Sequence, residues 1–175
     1  HFENLGVYEL IKRRCRFIIA LDAGEDNSAV DGNLANLIRL IRIDFGVRVT
    51  LDAAPLTETG PEKQAKQHCV IGAIHYEDVD PGAEPGVLIY VKISMTGDES
   101  PDLLQYAATT PFPHHPTFPD QFFDEAQFES YRALGSHIAW SIFKDAAGAL
   151  PAHLKHRVNE ESNFWFFQKV KMCWS

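Results

Sequence analysis

The chain has 175 residues, 45% of them hydrophobic, and 16 Lys and Arg against 24 Asp and Glu give a formal net charge of -8. That length suits one domain or one large piece of a domain, and the acidic balance disfavours a nucleic-acid partner, whose phosphates attract clustered Lys and Arg. No apolar run reaches the roughly 18 residues of a membrane-spanning helix.

Leu5, Tyr8, Leu10, Ile11 and Cys15 recur at near-helical spacing. They predict a helix from Leu5 to Arg14, with Asn4 as its N-cap and Lys12-Arg13-Arg14 in its last turn. The continuous apolar run from Arg16 to Leu21, ended by Asp22-Ala23-Gly24, predicts a parallel strand covered on both faces. After an aperiodic loop, Asp31 is placed to cap a second helix. Leu34, Leu37, Ile38, Ile41 and Phe45 line one face of that helix, Arg39 and Arg42 point outward, and Gly46 stops it. Val47 to Leu51 is strand-like by its β-branched content.

The Pro-, Thr- and Glu-rich segment 53–64 reads as a mobile loop. His68 to Tyr76 and Gly86 to Ser94 form two strand-like runs around the turn-rich EDVDPGAEP, which predicts an antiparallel hairpin. Ser100 and Pro101 open a short helix to about residue 107. Segment 108–122 is too rich in proline to be regular. A long helix follows from Asp124 to Phe143, with Phe128, Tyr131, Leu134, Ile138 and Ile142 as its buried stripe. The last stretch, NEESNFWFFQKVKMCWS, suits either a short helix or a strand. With no repeat and no dividing linker, residues 1–175 are expected to form one α/β unit.

Chemistry is sparse. The histidines show neither a helical i, i+4 pair nor a Cys-x-x-Cys knuckle, so no metal ligands and no cofactor are predicted and each His is read as structural or exposed. The acids of LDAGEDNSAVD lack the alternating spacing of a calcium loop. There is no Gly-x-Ser-x-Gly; Ser136 sits mid-helix, and Cys69 and His68 are strand neighbours that point to opposite faces. Cys15, Cys69 and Cys173 are read as reduced thiols of a cytoplasmic-type compartment.

Asp22-x-Gly24-x-x-x-Ser28 after an apolar strand is similar to the first phosphate loop of actin-like ATPases. Glu25 and Asp26 oppose phosphate there, and a helix follows where that family continues as a hairpin.

HFENLG resembles the tail of a motif of the patatin-like phospholipases, in which Asp-Gly-Gly or Asp-Gly-Ala is followed after three residues by Asn. Asn4 and Leu5 match, and Gly6 replaces the usual proline. The helix and the strand FIIALDAG that follow suit the course of that family. The segment DLLQYAATTPFPHHPTFPDQFFDEAQFESYRALG resembles the end region of its bacterial branch. The resemblance implies the C-terminal part of a three-layer sheet with helices on both faces, in a longer enzyme whose general-base Asp would stand just ahead of His1. That parent would hydrolyse phospholipid or other acyl esters through a Ser-Asp dyad, in the cytoplasm or at a membrane. The dyad and the oxyanion loop would lie upstream, leaving this chain inactive by itself.

His1, Glu3 and Asn4 would then lie near the mouth of the site, and Asp22 at the carboxyl end of a central strand, where open α/β sheets place ligands. Phe112, Phe118, Phe122 and Phe123 would present an apolar rim to acyl chains or a membrane surface. A non-catalytic regulatory or lipid-docking domain is the alternative, and a nucleotide-binding piece the more distant one.

Overall fold

The computed structural model describes residues 3–25, 32–116, 122–155 and 159–174. The sheet is built from a parallel pair and a hairpin. Strand β1 (Phe17–Asp22) pairs in parallel with β4 (Gly86–Lys92), which pairs antiparallel with β3 (Cys69–His75), and β3 pairs antiparallel with β2 (Arg48–Thr50). The order β1-β4-β3-β2 makes β1 an edge.

Helix α1 (Val7–Lys12) precedes β1, and α2 (Gly32–Phe45) links β1 to β2. Their apolar residues Val7, Ile11, Leu34, Leu37 and Ile41 join Ile18, Ala20, Leu88 and Tyr90 of the strands in one core. Helices α3 (Pro101–Thr109), α4 (Glu125–Gly148) and α5 (Glu160–Trp174) form a second core with Cys69, Ile89 and Val91. Residues 88 to 91 of β4 thus alternate between two cores, as the period of two along a strand requires. The chain is an α/β structure with helices against both faces of a four-stranded mixed sheet. None of the described helices is long and apolar enough to cross a membrane.

The hairpin, α2 with its outward arginines and the Gly46 stop stand as expected; Gly46 has φ 70°, and its N–H donates to Arg42 O at 3.1 Å. Four readings change. The first helix begins at Val7, with Gly6 rather than Asn4 at its N-cap. Strand β1 is covered on one side only, since Ile19 and Leu21 are 41% and 69% exposed. An apolar run cannot tell an inner strand from an edge strand whose outer face is bare, and α5 packs on its first residue, Phe17, through Phe164 and Phe167. Segment 53–64 is anchored, because Leu56 is buried in the first core and Thr59 bridges Gln64.

On α4 the buried line begins at Gln127, so Phe128, about 100° further round the helix, is exposed where burial was expected. The C-terminal stretch is a helix, α5, closing the second core through Phe167 and Val170. Asp31 lies outside the described residues.

Candidate functional site

The carboxyl ends of the two parallel strands lie side by side, with Asp22 of β1 in register with Lys92 of β4. His68, just before β3, stands on the other side of Lys92 and accepts its N–H at 2.9 Å. Asp22, Lys92 and His68 are each less than 5% exposed. One row across the sheet end therefore carries three buried ionisable groups.

The Asp22 carboxylate is held from several sides. Its Oδ2 accepts from Tyr90 Oη at 2.5 Å and from Lys92 Nζ at 3.1 Å, and its Oδ1 accepts from Gly24 N–H at 2.9 Å. Such a buried carboxylate, bonded to an ammonium and a phenol, is well suited to stiffen the sheet end. A phosphate loop built on Asp22 and Gly24 would have to break that network, and Ser28, its third element, lies outside the described residues.

Beside this row, the loop from Ser94 to Glu99 folds against His68. Thr96 Oγ1 lies 3.1 Å from His68 Nε2, while Thr96 N–H and Gly97 N–H donate to the two oxygens of Glu99 at 2.7 and 2.8 Å. From α4, His137 Nε2 reaches Asp98 Oδ1 at 3.2 Å, and the two imidazoles meet edge to face with centroids 5.5 Å apart. Burial pushes the His68 pKa down, and the hydrogen bond from Thr96 lowers that of Asp98. His68, Asp98, Glu99 and His137 hold four donor atoms within 4.8 Å of one another. No spacing motif announces this cluster, because its members come from three separated segments.

The other histidine reading also sharpens. His114 Nε2 lies 2.7 Å from Glu58 Oε1, a pair whose side chains are 12% and 5% exposed. It borders a cleft of about 870 Å³ that Phe112 also lines.

The residues singled out from the resemblance scatter. Glu3 lies ahead of α1, where its carboxylate accepts from Leu5 N–H at 2.6 Å and Tyr8 N–H at 3.4 Å. Asn4 is exposed. Gly6 has φ 72°, which the fixed ring of proline cannot reach, so the backbone here departs from the path of a proline at that position. Phe112 is core rather than rim, packed on Tyr106 and Tyr131. Phe122 is 96% exposed and Phe123, stacked on Tyr131, is 48% exposed. His1 and Phe118 lie outside the described residues.

No known family, curated protein or solved structure matches this chain. The functional reading therefore rests on the residues and their geometry.

Proposed function

We propose that this chain is part of a patatin-like serine acyl hydrolase, the portion that follows the aspartate motif, and that the parent cleaves phospholipid or other lipid acyl esters. In that reaction the serine Oγ adds to the ester carbonyl as the Asp takes its proton. The alcohol leaves, and water then releases the acyl group as the acid. The observation that carries the reading is the run from HFENLG through α1 into β1, a strand whose carboxyl end bears Asp22 beside a parallel neighbour. The open edge of β1 and the uncovered Ile19 and Leu21 on one of its faces support it, since a larger domain would pair a strand along that edge and lay a further element on that face.

The test is an esterase assay with short- and long-chain acyl esters, paired with fluorophosphonate labelling of the intact gene product. The intact product should turn over and become labelled, an Asp→Asn change just ahead of His1 should abolish turnover, and this chain alone should stay at background. Turnover by the isolated chain, or an intact product without a labelled serine, would overturn the reading.

Lipid docking is a second reading, favoured by the aromatic cluster at the start of α4, where Phe122 and Phe128 are 96% and 63% exposed. It predicts co-sedimentation with phospholipid vesicles that is lost in Phe122→Ser/Phe128→Ser, with or without hydrolysis.

A further inference from the structure

We propose that His68, Asp98, Glu99 and His137 bind one divalent transition-metal ion, with zinc the best match, and that the ion clamps α4 to the end of the sheet. The inference is independent of the acyl-hydrolase reading.

The donor set is two imidazoles and two carboxylates, which suits zinc and its borderline neighbours. With metal–donor bonds of about 2.0–2.2 Å, tetrahedral donors sit roughly 3.3–3.6 Å apart. The present donor atoms lie within 4.8 Å of one another. Closing the widest gap takes about 1–1.5 Å, within the reach of side-chain rotation about staggered wells.

Proton counting points the same way. Ser94 Oγ lies 3.4 Å from both Lys92 O and His68 Nδ1, and when its proton is on the carbonyl it accepts from His68 Nδ1–H. That tautomer leaves a lone pair on His68 Nε2 and aims it into the cluster, the orienting role an outer hydroxyl plays for metal-bound imidazoles. The Thr96 hydroxyl then faces three acceptors at once: His68 Nε2 at 3.1 Å, Asp98 Oδ1 at 2.5 Å and Glu99 Oε1 at 3.2 Å. Its one proton serves one of them, while Asp98 Oδ1 also faces His137 Nε2 at 3.2 Å and Glu99 Oε1 also accepts from Thr96 N–H at 2.7 Å. A cation satisfies all of these lone pairs together.

Charge is the third argument. The Glu99 side chain is fully buried, and among the described residues its only ion-pair partner is His68 at 4.0 Å. No lysine or arginine among them forms an ion pair with it; Thr96 and Gly97 N–H groups hold its two oxygens, and a cation in the cluster would add the counter-charge. Asp98, with 71% of its side chain exposed, leaves an entry path from solvent.

The experiment strips the chain with a chelator and titrates it with zinc chloride alone by calorimetry, with cobalt(II) in parallel as a spectroscopic probe. One ion per chain, a rise in melting temperature and the visible bands of four-coordinate cobalt are expected. His137→Ala and Asp98→Asn, at partly exposed positions that leave the core intact by circular dichroism, should each weaken binding at least tenfold. His153→Ala, an exposed histidine elsewhere, should leave it unchanged. Absence of saturable binding would overturn the proposal. So would binding that survives both His137→Ala and Asp98→Asn, since the ion would then sit on other histidines.

Discussion

Asp22 illustrates how a residue singled out by its place at a strand end takes its physical meaning from its partners. It faces a buried lysine, and breaking such a pair by removing one member costs about 3–5 kcal/mol. Asp22→Asn should therefore lower the unfolding free energy by that order, read as a lower urea midpoint at an unchanged m-value. A loss near zero would mean that the Tyr90 and Gly24 bonds suffice without the charge. Two other buried groups set the alkaline limit. Burial pushes the Cys69 thiol from 9.0 up to about 12, and the Tyr76 phenol from 10.0 up to about 12. The folded chain keeps protons that the unfolded chain releases, so this stability is fully present below the unfolded values of 9.0 and 10.0 and is lost as pH rises toward about 12. The decline should reach about 1.4 kcal/mol per pH unit for each group. Urea midpoints measured from about pH 8 to about pH 11 should fall, and Cys69→Val should flatten part of the fall. A flat profile in the native sequence would refute this coupling.

At the scale of elements, the hairpin depends on close approach. Gly86 opens β4 opposite Ile74, and a Cβ placed there would stand 2.8 Å from Tyr76 Cε2 and 3.2 Å from both Arg16 O and Ile74 Cβ. Gly86→Ala should destabilise by about 1–3 kcal/mol, the usual cost of overpacking, read by thermal and urea unfolding. A neutral result would show that the Tyr76 ring has room to swing away. The hairpin itself was legible because alternating β-branched runs around a turn-rich linker have few other solutions. The first turn of α4 was not. Phe128 is the more apolar residue, yet Gln127 is the one that faces inward, because the direction of the helix axis over the sheet decides which side of the first turn is covered.

For the whole molecule, the bare side of β1 is the most consequential feature. An edge strand with exposed Ile19 and Leu21 is a template for another strand or apolar surface. The isolated chain should associate with rising concentration in light scattering, and Leu21→Lys should suppress this while leaving the far-ultraviolet spectrum unchanged. A strictly monomeric chain at high concentration would show the edge to be protected by its twist or by Arg16 and α5.

Sequence alone determined the local features: α2 with its glycine stop, the antiparallel hairpin, the α/β class and the position of Asp22 at a strand end. These follow from periodicity and turn chemistry, which act over a few residues. Only the tertiary structure decided that β1 is an edge, that Leu56 anchors the segment expected to move, and that Gly6 rather than Asn4 stands at the N-cap of α1. It alone assembled His68, Asp98, Glu99 and His137, because a strand end, a loop and the middle of a helix become neighbours only when α4 packs on the sheet. Their spacing along the chain carries no trace of that packing.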